Sequence, residues 1–376
     1  MWAAAVALAL VTVAALTVSA VAHPATRPVP APLVTDLAPV DQAAPSPPAA
    51  PAAAPSVPDP LGPVALTGCP PPPPKPGPGG PPGPGPWRPA VLVPESALPL
   101  PPAPSPRSAG TGPVLAGKGM WIWQPDRTEQ GNAGAIVTKA LAAGLTQLWV
   151  RVGDSRYGFY GASFLASLVP IAHARGLAVI GWGFPHLYDP AGDAAWTLAA
   201  LAWHSPTGER LDGWSADIET ASEGTALSGR RATTYLGLVR PAVGGRPLVA
   251  TVFPPTDYWL RVYPYEAMAP YVDAFAPMIY WSCREPGDAA AAAIQRLAPL
   301  APVHLIGQAY DMAPAGGRVG HPSGAEISRF LDVARRDGAV GASFWDWQEI
   351  NAEEWSALSN FSWLAPGTTT ARVGVE

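Results

Sequence analysis

The chain is poor in cysteine, in histidine and in charge. Two cysteines, Cys69 and Cys283, occur in 376 residues. One falls in a Pro-rich stretch and the other in the globular part, which argues against a disulfide framework. The six histidines are scattered without metal-ligand spacing, so no metal site is expected. No Gly-rich loop of the phosphate-cradling kind occurs, and no cofactor is expected. Charged residues make up 14% of the chain, with 28 acidic against 23 basic and a formal net charge of -5. Within residues 23–115 the signs balance: Arg27, Lys75, Arg88 and Arg107 stand against Asp36, Asp41, Asp59 and Glu95. The remainder carries the negative excess, which argues against a nucleic-acid partner.

Proline is abundant, with 50 residues, and about two thirds of it lies between His23 and Leu115. A stretch of Pro, Ala, Gly and Ser buries too little apolar surface to offset its ordering entropy. Residues 23–115 are therefore expected to be a disordered, extended linker that carries the rest as a stalk. Pro70 to Pro74 could dock a partner, but nothing singles the run out. Ahead of the linker, Trp2 to Ala22 is apolar throughout and ends in small residues, as a secretory signal peptide cleaved after Ala22 does. Its start lacks Lys and Arg, and its length just spans a bilayer, so an N-terminal membrane anchor is the alternative. Either reading exports the folded part to the outside or the cell surface. Leu66-Thr67-Gly68-Cys69 is similar to a lipoprotein attachment site. That site directly follows the apolar run, and here the linker intervenes, so the match is read as coincidence.

From residue 116 to 376 the pattern changes. Short β-branched and aromatic runs alternate with Ala/Leu-rich helical stretches. Strands are expected at Met120–Trp123, Gln147–Arg151, Ala178–Phe184, Leu211–Thr220, Pro247–Phe253, Ala274–Trp281, Val303–Gln308 and Val340–Trp347. Helices are expected at Ala135–Ala143, Phe164–Arg175, Asp193–His204, Ala232–Val239, around Glu266–Val272, and at Asp288–Leu297, Ala325–Arg336 and Glu353–Ser359. Gly144, Gly176 and Gly338 close three of these helices, where glycine takes the left-handed position cheaply. About eight strand–helix units over roughly 250 residues have the size and rhythm of an α/β (β/α)8 TIM barrel. A doubly wound sheet usually carries a Gly-rich loop after its first strand, and none follows Trp123. The barrel is expected to be a monomer.

In such a barrel the chemistry sits at the C-terminal strand ends. Those ends carry Trp123 and Gln124; Arg151 and Asp154; Trp182 and His186; Asp217 and Glu219; Phe253; Tyr280 and Trp281; Gln308, Tyr310 and Asp311; and Trp345, Asp346 and Trp347. Aromatic rings around acids suit a sugar, whose C–H faces stack on indoles while polar side chains take its hydroxyls. On the fourth strand, Leu211-Asp-Gly-Trp-Ser-Ala-Asp-Ile-Glu-Thr220, alternation puts Ser215, Asp217 and Glu219 on one face. Two buried carboxylates push their pKa values apart and keep one protonated, able to act as an acid.

Asp212-Gly-Trp-Ser-Ala-Asp-Ile-Glu219 resembles the fourth-strand signature of the family 18 chitinases, Asp-Gly-x-Asp-x-Asp-x-Glu. Met278-Ile-Tyr280 is similar to that family's sixth-strand Met-x-Tyr, and Trp345 falls where its eighth-strand Trp lies. The stretch from Lys118 to Trp363 also resembles exported bacterial barrels that begin Gly-Met-Trp-Ile-Trp and end Trp-Asp-Trp-Gln. Family 25 muramidases, with an Asp-x-Glu on the same strand, are the nearest rival. The resemblance implies a hydrolase of glycans with N-acetylated amino sugars, either peptidoglycan or chitin-like. Glu219 would protonate the glycosidic oxygen and Asp217 would orient the acetamido group. Tyr280 would hydrogen-bond its carbonyl, and Trp345 would lie beneath the sugar. Trp123, Gln124, Arg151, Trp182, Trp281, Gln308, Tyr310, Asp311 and Trp347 complete the expected substrate site. Residues i and i+2 on one strand face are about 6–7 Å apart and lie on the same side of a sugar. They cannot flank the bond as nucleophile and acid, which favours a substrate-assisted route. Ser215 replaces the family's middle Asp, which implies a weaker hold on Asp217. A barrel that binds cell-wall glycan without cutting it is the competing expectation. Gly153-Asp-Ser155 is similar to a lipase nucleophile block, but it follows the second strand and no triad end appears near the C-terminus. His186 as a general base is outweighed by a structural role beside aromatics.

Overall fold

Alternation of strand and helix closes on itself. The computed structural model describes residues 61–66, 69, 87–104 and 111–363. Its eight barrel strands are β1 (Gly117–Ile122), β2 (Gln147–Asp154), β3 (Ala178–Phe184), β4 (Gly213–Asp217), β5 (Leu248–Val252), β6 (Ala274–Ile279), β7 (His304–Gln308) and β8 (Gly341–Trp345). Neighbours in sequence pair in parallel from β1 round to β8. Gly117↔Gly341 and Met120↔Phe344 close the ring. This is the TIM barrel expected. A two-residue antiparallel arm, Gly158–Phe159, hangs on the end of β2. It is too short to leave a period in the sequence.

The helices start where the chain offers caps. Asn132, Ser228, Ser323 and Asn351 each accept a backbone N–H of the following first turn, and the last two complete capping boxes with Glu326 and Glu354. Gly144, Gly176 and Gly338 take φ of 64°, 72° and 85° after their helices. Two features differ from the sequence reading. An additional helix, Asp257–Val262, precedes the short one at Tyr265–Met268. The fourth strand ends at Asp217, so Glu219 sits just past it, although Ile218 still donates to Thr251 O at 3.0 Å.

Apolar residues divide into two cores. Leu148, Val150, Leu248, Ala250 and Val252 face the surrounding helices. Trp121, Trp149, Ile180, Trp182, Val249 and Ile306 fill the barrel. At the outer layer, buried Lys118 donates through Nζ to Ala143 O at 3.0 Å, to Phe361 O at 2.6 Å and to Leu358 O. This fastens the last helix, Ala352–Asn360, to the wall.

The segment 1–22 and most of the expected linker lie outside the described residues. Where that linker is described, residues 87–104 run along the helix Gly229–Val243. Val93 N donates to Tyr188 O at 2.9 Å, Arg231 Nη2 to Val93 O, and Arg230 Nη2 to Leu98 O at 3.1 Å. A side chain at Gly237 would come within 2.8 Å of Pro102. Cys69 and Cys283 are joined by a disulfide, with Cα atoms 5.6 Å apart. This corrects the expectation that they stay unpaired: the Pro-rich stretch returns to the barrel and brings Cys69 to the loop after β6. A disulfide-bonded Cys69 also has no thiol free for lipid attachment. Without reductant, alkylation should find no free thiol, and mass spectrometry should find a peptide pair joining Cys69 to Cys283. Reduction should lower Tm by roughly 5–10 °C, from the few kcal/mol such a bridge usually contributes. A free thiol at either position in the unreduced protein would refute the bridge.

Candidate active site

The barrel interior is plugged by indoles. Trp121 stacks on Trp149 at 4.9 Å and meets Trp182 at 5.4 Å and Trp345 at 6.1 Å. Trp121 Nε1 donates to Ser343 Oγ at 2.8 Å, and Trp149 Nε1 to Gln147 Oε1 at 3.3 Å. Above this plug, at the C-terminal ends of the strands, lies a cavity of about 180 Å³ lined by Trp121, Asp217, Glu219, Thr251, Met278, Tyr280, Ile306 and Trp345. All four residues on which the motif resemblance rests therefore share one small volume.

Both acids are part-buried, and each has one oxygen shut away from solvent. Asp217 Oδ1 and Glu219 Oε2 are buried and make no hydrogen bond. Burial pushes the Asp217 carboxyl up to about 7, against the pull of the Arg151 guanidinium. Glu219 is pushed well above the ordinary carboxylate range, first by burial and then by the charges of Asp217 and Glu223. Arg151 favours the ionised form of Asp217, and the charge of Asp217 favours the protonated form of Glu219. Ser215 does not reach toward the pair; its Oγ is 2.9 Å from Thr251 Oγ1. Tyr280 meets Tyr310 edge-on at 5.4 Å, and burial raises the pKa of both phenols, so each stays an O–H donor.

The remaining expected residues separate into three groups. Trp123 stacks on Trp345 at 6.5 Å, and Trp182 packs against Trp345 at 5.6 Å, so both buttress the cavity. Arg151 lies 5.5 Å from the Trp182 ring and pairs with Asp154 at 3.1 Å. Three polar residues are occupied in shaping loops. Gln308 accepts from Ser282 N and donates to Tyr310 O. Asp311 accepts from Ala313 N and Gly320 N. Gln124 takes part through its backbone O, which accepts from Gln348 Nε2 at 3.2 Å. Trp281 and Trp347 are corrections. Trp281 is fully buried against Phe330 at 5.1 Å and donates to Glu326 Oε1, on the helix side of the wall. Trp347 packs on Trp355 at 4.9 Å and donates to Glu129 Oε1 at 3.1 Å. Conversely, Trp121, Thr251 and Ile306 line the cavity without standing among the expected residues. Alternation along Val249, Thr251 and Phe253 offers a signal for Thr251, a lone polar residue on an apolar face. The lipase-like Ser155 bonds Asp193 at 2.5 Å, and it meets His186 only through the backbone N–H of that residue. Among the described residues no group of three or more His, Cys, Asp or Glu side chains is placed to hold a metal ion.

No protein-family profile matches the chain, and no curated protein matches its sequence. Solved structures with a similar chain trace include a class V chitinase from Pseudomonas fluorescens, at 14% identity with TM-score 0.47, covering 64% of this chain and 98% of that one. The spore cortex-lytic enzyme SleL of Bacillus cereus is also similar, at 14% identity with TM-score 0.47, covering 66% and 75%. A third is described as an alpha-L-fucosidase of Bacteroides thetaiotaomicron, at 10% identity with TM-score 0.49, covering 67% and 92%.

The raised carboxyls have a thermodynamic consequence. Unfolded carboxyls titrate near 4. Between that value and about 7 the folded chain holds protons that the unfolded chain releases, so stability falls as pH rises through the folded pKa. Asp217→Asn should therefore melt higher than the parent at pH 8, by roughly 5 °C, and the gap should shrink at pH 5. Equal melting of the two proteins at both pH values would show that Asp217 is not held in a dry site.

Proposed function

We propose that the chain is an exported glycoside hydrolase acting on glycans with N-acetylated amino sugars, either peptidoglycan or chitin-like, by a substrate-assisted route. One observation carries this reading: Asp217 and Glu219 share a small cavity with Trp345 and Tyr280. Trp345 offers an apolar face to a pyranose ring. Tyr280 donates its O–H to the acetamido carbonyl, and Asp217 accepts the acetamido N–H. The acetamido oxygen then attacks the anomeric carbon. The glycosidic C–O bond breaks, and the departing oxygen takes the proton of Glu219. Ionised Asp217 faces the positive charge that develops on the new ring. The Glu219 carboxylate next draws a proton from a water that opens this ring, which restores both acids.

Against a purely binding role stands the position of Arg151. It pairs with Asp154 rather than locking Glu219, which enters no ion pair among the described residues. Export is supported by the Cys69–Cys283 bridge, because such bonds persist in oxidising compartments.

Glu219→Gln should lower kcat on peptidoglycan or chitin oligomers by about 10²–10⁴-fold with little change in KM. Aryl glycosides with good leaving groups, which need no protonation, should be cut with a much smaller loss. Equal product from variant and parent on the natural glycans would sink the assignment of Glu219.

A further inference from the structure

The cavity is small for a polymer. Its roughly 180 Å³ falls below the roughly 300–1,000 Å³ of sites that enclose a whole drug-sized ligand. Rings beyond the first must lie outside it. A chain of packed side chains links the cavity wall to a rim on one side. Trp345 touches Trp182, Trp182 carries Arg151 at 5.5 Å, and Arg151 pairs with Asp154. The second oxygen of Asp154 accepts the backbone N–H groups of Arg156 and Tyr157, both at 2.9 Å. The Arg156 guanidinium lies 4.9 Å from the Tyr157 ring and 5.8 Å from the Trp87 ring. Trp87 comes from the Pro-rich stretch and is seated edge-on against His186 at 5.0 Å. Its neighbour Arg88 donates to Ala221 O at 2.9 Å, in the loop after Glu219. Tyr160 stands beside Arg151 and Asp154.

Three aromatic side chains at this rim are left open to solvent: Trp87 at 39%, Tyr160 at 43% and Tyr157 at 65%. Large exposed rings grouped together mark a binding surface more often than a packing accident. Arg156, Asp154 and the Ser155–Asp193 bond hold the loop that presents the two tyrosines. We propose that Trp87, Tyr157 and Tyr160 form an outer sugar-stacking rim for a glycan that extends beyond the cavity. Trp87, from the segment ahead of the barrel, is then a specificity residue for chain length. The proposal rests on the glycan reading of the cavity, because the occupant is the continuation of the same polymer.

The test compares binding of the N-acetylglucosamine hexamer and dimer to the full chain by calorimetry, in the Glu219→Gln background to prevent turnover. Trp87→Ala combined with Tyr157→Ala should weaken the hexamer about tenfold and leave the dimer within about twofold. Trp87→Tyr should keep most of the hexamer affinity. Equal losses for both sugars would mark a structural effect and overturn the rim, as would an unchanged hexamer affinity. A hexamer bound no tighter than the dimer with the rim intact would also overturn it. Hydrolysis by the chain with Glu219 intact separates the two ideas. Rim-dependent binding without any cleavage would remove the hydrolase and keep the rim. Cleavage of hexamer and dimer that is indifferent to Trp87 and Tyr157 would do the reverse.

Discussion

Stacked indoles inside the barrel govern the rest of the structure. An eight-stranded barrel has room for side chains and little else. Here Trp121, Trp149, Trp182 and Trp345 take much of that room, with ring centroids between 4.9 and 6.1 Å in the contacts they make with Trp121. At the closed end, His304 lies 4.8 Å from Trp149, and burial pushes its pKa down to about 3, so it stays neutral and adds no charge beneath the plug. The plug ends at Trp345, and that sets the cavity floor.

Burial then leads the electrostatics of the two acids. For both acids burial is the largest influence, ahead of any neighbouring charge. Glu223 adds to it for both acids, the Asp217 charge adds to it for Glu219, and Arg151 offsets it for Asp217. Arg151 acts on Asp217 and the Asp217 charge acts on Glu219, so two side chains two residues apart meet different surroundings. Ser215 lies inside the same logic. With its hydroxyl given to Thr251, it leaves Asp217 Oδ1 without a partner, and Arg151 is the opposing charge that remains.

Much of this is legible in the chain. Eight strand–helix units and the positions of Asp217, Glu219, Tyr280 and Trp345 come from period and motif. The residues that escape are instructive. Parity along the sixth strand places Met278 and Tyr280 on the inner face and Trp281 on the outer one, so expecting both aromatics at the site contradicts the strand's own alternation. Trp347 shares parity with Trp345, but the strand ends at Trp345 and parity no longer constrains the residues beyond it. Gln308 and Asp311 lie at the rim as expected, yet backbone N–H groups of the loops claim their oxygens. Strand pattern carries no information about such loop contacts.

The largest departure lies in the Pro-rich stretch, and composition was bound to miss its cause. A proline-rich segment lacks donors but keeps every carbonyl. Its carbonyls become useful acceptors only where another part of the fold supplies guanidinium groups. The helix Gly229–Val243 supplies two, Arg230 and Arg231, which reach Leu98 O, Pro99 O and Val93 O. Leu98 buries its side chain on the same surface. None of these donors lies within 100 residues of its acceptor in sequence, so no local window could reveal the pairing. Once residues 87–104 are held in this way, Trp87 and Arg88 are delivered to the rim beside the loop after Glu219. The energetic boundary of the folded unit therefore lies well ahead of residue 116, and the Pro-rich segment contributes an indole to the barrel face that carries Asp217 and Glu219.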